Sequence, residues 1–431
     1  MKIRPSRKES GSVLAACLCT VAIMGITLAA YLDLVAAQNL SIARSQAWNS
    51  AIPIIECGLE EALAHLYQNG TNLAVDGWTA NASGFSKFRY AGDGWAYVTI
   101  SNTTPPVIYS RGFAPVPLRT NDYMDRTVRV TTTGGSLFSR GLVAKGKITL
   151  SGGVRTDSFD SVNTNYSTAG RYDAAKYRDN GDVATDSSVV GAITDSGGVA
   201  IYGHVNIGGG GTISTSGNVA IGSRTFIDGG GTGIQPGYAS SNMNVAFPDV
   251  AAPFSGGAVT PGGGTVGGTN YAYVIGAGNN QLTSLSMGGQ QKAIVTGNAV
   301  LYVTGNISFS GQSFLYLAPG ATLKLYVAGA SASLSGQGVA NANANATNFF
   351  YYGLPSNTSL SLSGNSAFTG VIYAPQADFS MSGGGNNTYD LVGAAIVNTI
   401  TMSGHFNFHY DENLSRLSLG RDYVVTSWDE L

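Results

Sequence analysis

Four residues near the C-terminus form the densest group of potential metal ligands: His405, His409, Asp411 and Glu412. A spacing of four residues would align the two imidazoles on one face of a helix, and on a strand it would also keep them on one face. However, a glycine precedes the segment, and Phe406 and Phe408 alternate with polar residues, which is typical of packing. We therefore expect the segment to close the end of a β structure, and we assign no metal ligands.

The richest acidic region covers residues 155–195. Its members are Asp157, Asp160, Asp173, Asp179, Asp182, Asp186 and Asp195. Residues 179–182 (Asp-Asn-Gly-Asp) could belong to a calcium loop, because Ca²⁺ prefers several oxygen ligands, but they lack the residue order of an EF-hand. Solvated turns are the simpler interpretation of this region, and calcium binding stays open as the alternative.

An enzyme would need reactive groups that the sequence offers in few places. Glycosidases need two carboxylates on either side of the bond, commonly about five to ten Å apart, and only the 155–195 region could supply such a pair. Between Asp249 and Asp378 the only charged residues are Lys292 and Lys324. The glycine runs at 208–211 and 262–264 lack the Lys-Ser/Thr ending of a phosphate loop. We therefore assign no catalytic and no cofactor-binding residues.

The composition favours an ordered, turn-rich β protein. Of 431 residues, 11% are charged, 59 are glycine and 43% are hydrophobic, whereas about 25% of the residues in a typical soluble domain are charged. The net charge is −2, and we find no dense basic run beyond the extreme N-terminus, so we expect no nucleic-acid partner. All three cysteines precede residue 60, which excludes a disulfide framework elsewhere.

The N-terminal segment predicts a membrane anchor. Lys2, Arg4, Arg7 and Lys8 precede an apolar stretch that runs from Val13 to Leu34. About 20 helical residues span the hydrocarbon core of a bilayer. The positive flank predicts a cytoplasmic N-terminus, a single pass through the inner membrane, and a periplasmic or surface location for everything that follows.

The helical pattern continues beyond the apolar stretch. Apolar residues recur every three or four positions as far as Leu66, so residues 12–69 should form one transmembrane and amphipathic helix. Pro53 should kink this helix, and Asn69-Gly70 should end it. Cys57 falls in the apolar stripe, and we expect a packed thiol there.

Three export signals compete for the N-terminus. A cleaved signal peptide should have a shorter apolar run. Leu14-Ala15-Ala16-Cys17 has the letters of a lipoprotein signal, but the apolar region follows the cysteine instead of preceding it. In the third signal, a basic leader, here residues 1–11, ends in Gly11 immediately before Ser12 and the apolar helix.

The first 70 residues resemble type IV prepilins, particularly minor pilins. The resemblance rests on Gly11-Ser12-Val13-Leu14, the uninterrupted apolar helix, and the segment from Ser45-Gln46-Ala47 to residues 55–62. It implies processing between Gly11 and Ser12 and an association with pilin-like subunits. Ala16 stands where many pilins carry the Glu that is tied to filament assembly.

Residues 70–140 change from a helical to an alternating period and predict a small pilin-like β region. Its strands should include residues 97–100, 107–110 and 127–131, separated by turn residues such as Thr104-Pro105-Pro106. The alternative is that these strands extend the β structure that follows.

Residues 141–415 predict a Gly-rich, right-handed parallel β-helix, with residues 416–431 as a C-terminal tail. Short alternating strands end in Ser-Gly or Thr-Gly turns, and toward the C-terminus these turns recur at intervals on the order of 20 to 30 residues, a range typical of solenoid coils. A β-sandwich is the alternative. Residues 369–377, 392–397 and 405–414 resemble a bacterial β-helix surface domain that is often attached to pilin-like N-termini.

The sequence therefore predicts a mainly β, non-enzymatic, exported surface or structural protein. It would display a β-helix for assembly or for adhesion to surface glycans. The alternatives are a membrane-anchored β-helix enzyme acting on polysaccharide and a bactofilin-like scaffold. The export signal opposes the scaffold, because such scaffolds act on the cytoplasmic side.

Overall fold

The structure is a computed structural model of the chain. It describes residues 10–69, 73–103, 105–117, 119–134, 136–245, 247–335, 337–363, 368–383, 389–416 and 423–431. The chain divides into two compact units: the first contains residues 1–135 and 420–431, and the second contains residues 136–419. The second unit is thus an insertion into the chain of the first. Most of the predicted basic leader lies outside the described residues.

The first unit begins with one long helix, α1 (Ser10–Asn69), which continues through Pro53 and ends where the sequence predicts. The side chains of residues 13–34 are exposed throughout, and the stretch is long and apolar enough to cross a membrane. Further along, one face of the helix is buried. Its buried hydrophobic residues are Ala43, Ala47, Ala51, Ile54, Ile55, Leu59, Ala62 and Leu66.

That face packs on an antiparallel sheet. In spatial order the strands are β1 (Thr79–Asn81), β2 (Gly84–Ala91), β3 (Gly94–Ser101), β4 (Val107–Pro115), β5 (Tyr123–Gly134) and β34 (Tyr423–Glu430). Helix and sheet approach closely because small residues line the contact: a Cβ on Gly58 would lie 2.6 Å from Ser110 Oγ and 2.7 Å from a methyl of Val98. The Ser110 hydroxyl donates to the carbonyl of Ile55 at 3.0 Å.

The C-terminal segment differs from the predicted tail, because residues 423–430 form edge strand β34 of this sheet. Arg126 fixes the strand by donating to both carboxylate oxygens of Glu430, at 2.7 and 2.6 Å. Strand β34 follows β5 in the sheet although the whole second unit separates them in the chain. A local sequence pattern cannot reveal such a distant partner.

The second unit consists mainly of short strands. The strands in its first part are β6 (Leu142–Ala144), β7 (Ile148–Gly152), β8 (Arg155–Phe159), β9 (Val183–Thr185), β10 (Ile193–Gly197), β11 (Ala200–Tyr202), β12 (Val205–Gly208), β13 (Ile213–Gly217), β14 (Ala220–Gly222), β15 (Gly233–Ile234) and β16 (Ala239–Met243). A short helix, α2 (Arg224–Asp228), lies between β14 and β15, and Ser223 caps its N-terminus.

A second group of strands follows. They are β17 (Gly264–Val266), β18 (Thr269–Tyr271), β19 (Tyr273–Ile275), β20 (Gly278–Leu282), β21 (Leu285–Met287), β22 (Lys292–Val295), β23 (Asn298–Val303), β24 (Ile307–Phe309), β25 (Phe314–Leu317), β26 (Thr322–Val327), β27 (Ser331–Leu334), β28 (Gly338–Asn341), β29 (Phe349–Gly353), β30 (Ser359–Ser363), β31 (Phe368–Gly383), β32 (Tyr389–Gly404) and β33 (Phe406–Asp411). Two 3₁₀ turns, Ala346–Asn348 and Glu412–Arg416, complete the elements.

Strands of successive coils pair in parallel, so the second unit is a solenoid. Strand β23 pairs with β20 and β26, and β26 pairs in turn with β29. Strand β10 pairs with β7 and β13 in the same manner. The inward residues form one continuous apolar core. The fold class that the sequence predicts is therefore confirmed: mainly β, with one long N-terminal helix and many parallel strands.

The coils do not follow one another in chain order throughout. Strand β32 pairs with β33 through its first residues, and with β6 and β7 through its later ones. One coil, which we call the composite coil, is therefore built from β33 near the end of the unit and from β6 and β7 at its start. From it, arm one (residues 155–243) extends on one side and arm two (residues 278–404) on the other.

Candidate functional site

Three of the four residues considered as a metal site, His409, Asp411 and Glu412, are buried in the solenoid. We call this region the seam, meaning the contact of β8 and loop 160–182 with β33 and residues 412–416. His405 is exposed in a bend before β33, whereas His409 is buried within that strand. The two imidazoles therefore do not share a face, because the strand begins only after His405.

Asp157 is the centre of the seam. Its carboxylate is fully buried and accepts hydrogen bonds from Arg155 Nε at 2.8 Å and from the Tyr172 hydroxyl at 2.9 Å. The other carboxylate oxygen bonds to Nδ1 of His409, and the ring of Tyr172 stacks on the His409 imidazole. This arrangement fixes one histidine against one carboxylate and leaves Asp157 committed to protein partners.

Glu412 makes a second set of bonds across the seam. It accepts from the Ser158 hydroxyl at 2.8 Å and from the Asn180 amide at 2.7 Å, and it pairs with Arg178. All three of these side-chain partners come from arm one, whereas Glu412 follows β33. The seam thus joins the two ends of the inserted unit.

Asp160 and Arg416 form the outer pair of the seam. Arg416 donates to both oxygens of Asp160, at 2.9 and 2.6 Å, and this bonding lowers the pKa of the Asp160 carboxyl. Asp411 is buried beside them and accepts from the backbone N–H groups of Ser161 and Asn413, each at 3.1 Å, while burial raises the pKa of Asp411.

The seam corrects two predictions. The segment around His409 does not close the end of the stack, because β33 pairs with β32 on one side and with β8 on the other. The acidic region is not composed only of solvated turns, because Asp157, Asp160 and Asp195 are buried. In the described part of the chain, no group of three or more His, Cys, Asp or Glu side chains could hold a metal ion.

The residues of the suggested calcium loop have structural partners. Asp179 accepts from the backbone N–H of Arg224 at 2.9 Å, and Asp182 accepts from that of His204 at 2.7 Å. Outside that loop, Asp173 accepts from the Thr168 hydroxyl, and this bond lowers the pKa of the Asp173 carboxyl. The alternative of a polysaccharide-active enzyme that uses this region stays a prediction.

Asp195 is the exception among the buried carboxylates. It lies on β10 between Leu150 and Thr215 of the neighbouring coils and occupies an inward position. Neither of its carboxylate oxygens has a hydrogen-bond partner, and burial raises its pKa to about 7. Burial raises the pKa of such a carboxyl group because the charged form is poorly solvated, and this favours the neutral, protonated form.

One face of the solenoid carries a regular array of hydroxyl groups, which we call the hydroxyl face. Nine coils in succession place Ser or Thr at the same outward register position, and none of these residues is buried. They are Ser286, Ser308, Ser333, Ser361, Ser380, Thr401, Thr149, Thr194 and Ser214. Adjacent members lie on paired strands, about 4.8 Å apart in the hydrogen-bonding direction.

A second column of the hydroxyl face lies two residues further along each strand. Its members in register are Ser363, Ser382, Ser403, Ser151, Ser196 and Ser216. In the sequence, the two columns correspond to a repeated five-residue pattern. An inward residue is followed by Ser or Thr, then by a second inward residue, then by Ser, and usually by Gly. The Ser-Gly turns reveal part of it, but only the register shows that the columns are continuous through the composite coil.

Gly11 and Ser12, the predicted processing site, lie in the first turn of α1. The structure describes their backbone only. Cys57 differs from its prediction, because it is exposed and is not packed. It lies beside Glu56 and Glu60 on the outward side of the helix, while Gly58 and Leu59 contribute to the buried side.

Comparisons with known proteins add little to this geometry. A family model described as "Domain of unknown function (DUF7305)" matches residues 275–417, which cover β20–β33. Among solved structures, the chain is similar to the competence-associated pilin ComZ from Thermus thermophilus, with 8% identity, 100% of this chain and 99% of that chain covered, and a TM-score of 0.23. We draw no conclusion from a likeness this weak. No curated protein matches the chain.

Proposed function

We propose that this protein is a non-enzymatic, membrane-anchored surface protein of pilin-like type that displays its solenoid for assembly or adhesion. The observation that carries the proposal is helix α1, which is continuous from Ser10 to Asn69 yet divided into two environments. Its first part is apolar and exposed, and its second part is buried on a sheet.

The exposed apolar part supports the anchor. Large side chains such as Leu14, Met24 and Leu32 are 71, 69 and 57% exposed, respectively. That much contiguous apolar surface is unfavourable in water and is favourable in a bilayer. The basic residues before Ser10 orient the helix with its N-terminus in the cytoplasm, and the remainder of the chain is exported.

The plan of the first unit supports the pilin-like assignment. A helix with an apolar N-terminal half and an amphipathic second half, followed by a small antiparallel sheet, is the plan that the prepilin resemblance implies. Gly11 and Ser12 lie at the start of that helix, where a prepilin is processed. Ala16 stands where many pilins carry the Glu that is tied to filament assembly, which favours a minor-pilin-like subunit or a surface display protein.

The hydroxyl face supports a role in display. Each hydroxyl group is both a hydrogen-bond donor and an acceptor, so repeated Ser and Thr side chains can bind a repetitive polar partner without using charge. Surface glycans and neighbouring pilin-like subunits both offer such a repeat. The hydroxyl face is therefore one surface through which assembly or adhesion would occur.

The N-terminal residue of the mature protein tests the proposal. We expect mass spectrometry of an envelope fraction to find a chain that begins at Ser12. A Gly11→Val variant provides the matched control, because its bulkier residue should block processing while it leaves the apolar helix intact. A wild-type chain that still begins at Met1 would make the protein a permanent membrane-tethered protein and would overturn the pilin-like assignment.

A further inference from the structure

A groove lined by aromatic and polar side chains lies on the sheet formed by β19, β22, β25 and β28. This sheet is distinct from the one that carries the hydroxyl face. The groove has a volume of about 740 Å³, within the range of about 300–1,000 Å³ that is typical of ligand sites. Its lining residues are Thr269, Tyr271, Lys292, Phe314, Tyr316, Gln337 and Ala340.

The register of the coils explains why aromatic rings are accessible there. Phe314 and Tyr316 point outward from β25, and their partners on the next coil are Gly338 and Ala340. Because these partners have almost no side chain, they do not cover the two rings. The hairpin of β17 and β18 adds Tyr271 to the lining. Aromatic faces carry partial negative charge, which suits the C–H groups on the face of a pyranose ring.

The charge in the groove has one sign. Lys292 is the only charged residue among the described lining residues, and its ammonium lies 5.5 Å from the centre of the Phe314 ring. The sequence contains no Asp or Glu between residues 250 and 377. A cation held beside aromatic rings with no carboxylate in the lining favours an anionic ligand, and Gln337 and Thr269 can hydrogen-bond to sugar hydroxyls.

We propose that this groove binds a saccharide that carries a carboxylate, as in a uronate-containing polysaccharide. A pyranose ring stacks on the aromatic side chains, and its carboxylate pairs with Lys292. The proposal is one of binding alone, and the described lining holds no carboxylate of the kind that a glycosidase uses in pairs. The site deepens the adhesive role proposed above and rests on the export of the solenoid to the cell surface.

Binding of an oligogalacturonate to the full chain in detergent tests the site by titration calorimetry. We expect Lys292→Gln to weaken the Kd by about tenfold or more, since a hydrogen bond to a charged group is lost, and Tyr316→Ala to weaken it by a similar factor. Lys324→Gln is the matched control, because Lys324 is the other charge of this region and lies on the other sheet. The Lys324→Gln variant should bind the oligogalacturonate with the same affinity as the wild type.

The methyl ester of the same oligosaccharide separates charge from ring stacking. We expect the wild-type protein to bind the ester as weakly as Lys292→Gln binds the acid. Equal binding of acid and ester, unchanged affinity in Lys292→Gln, or no binding of the acid would each overturn the site. Thermal unfolding of each variant shows whether a loss of binding reflects unfolding. The mature N-terminus is independent of all these results, so the anchor and the groove fail separately.

Discussion

The seam and arm two are parts of one solenoid, but they are held together differently. In arm two each coil follows the last along the chain, and from residue 278 to 377 only Lys292 and Lys324 are charged. The seam joins residues that are far apart in sequence, such as Asp157 and His409, which lie 252 positions apart, and it does so with buried charges. In a regular stack, each coil is stabilised by contact with the coil that precedes or follows it in the chain. A contact between segments that are distant in sequence is instead stabilised by specific pairs of side chains.

The largest expected effect comes from removing the central carboxylate of the seam. Asp157→Ala leaves Arg155, Tyr172 and His409 without their shared acceptor. Breaking a buried pair in this way costs about 3–5 kcal/mol. We expect a fall of that size in the free energy of unfolding of the second unit, measured by chemical denaturation and followed by circular dichroism.

A neutral buried network in arm two is the matched control. Asn357 accepts from the Tyr351 hydroxyl and donates to the carbonyl of Gly329, both at 2.8 Å. Asn357→Ala should cost less, about 1–3 kcal/mol, because no charge is left buried. Equal losses in the two variants would show that charge does not distinguish the seam from the arm.

Asp195 sharpens the comparison because it is a buried carboxyl group whose oxygens have no hydrogen-bond partner. Coils that pair with β10 or β7 place Leu150 and Met402 at its register position. Asp195→Leu should therefore raise the free energy of unfolding, by about 1–3 kcal/mol near neutral pH, since the cost of an unsatisfied buried polar group is removed. The same denaturation measurement detects the gain, and an unchanged or lower stability would contradict it.

The pH dependence gives an independent readout of Asp195. Its folded pKa is raised from 3.8 to about 7, so the folded state binds more protons than the unfolded state between these values. The stability that this group contributes is complete below its unfolded pKa and is lost as the pH rises toward about 7, by at most about 4 kcal/mol. The difference between wild type and Asp195→Leu should follow this profile.

The smallest expected effect is at the outer pair of the seam. The Arg416 side chain is 51% exposed, so Arg416→Ala should cost only about 1 kcal/mol after allowance for solvent screening. Since Arg416 lowers the pKa of Asp160, this stabilisation is present above the unfolded pKa of Asp160 and is lost as the pH falls through the folded value. The free energy of unfolding should therefore fall less in Arg416→Ala than in the wild type as the pH is lowered. Lys324→Gln is the control and should show the same pH dependence as the wild type.

Elements with a strong local pattern could be predicted from the sequence. The end of α1 at Asn69 and the strands around residues 97–100, 107–110 and 127–131 follow directly from periodicity and turn residues. The prediction that Cys57 is packed was wrong because Cys57 lies at the edge of the apolar stripe. The next residue, Gly58, is buried, whereas Cys57 is exposed. The groove was missed because Phe314 and Gly338 become neighbours only through the coil register.

The partners of β33 and β34 could not be predicted. Both strands have suitable alternating residues, but nothing in residues 406–411 or 423–430 specifies which strand lies beside them. The expectation that residues 405–414 close the end of the stack was wrong for a related reason, since β33 has a neighbouring strand on each side. Local propensity indicates that a strand forms, whereas long-range packing decides its neighbour and its exact start.

The composite coil has a consequence for how this molecule can change over evolutionary time. Ser136 donates its side-chain hydroxyl to the carbonyl of Leu414 at 2.7 Å, so the inserted unit begins and ends at one point. Both arms grow away from that point, and the cost of closing a loop rises only slowly with its length. Whole coils can therefore be gained or lost away from that point without moving the two junctions, so the length of the inserted unit can vary.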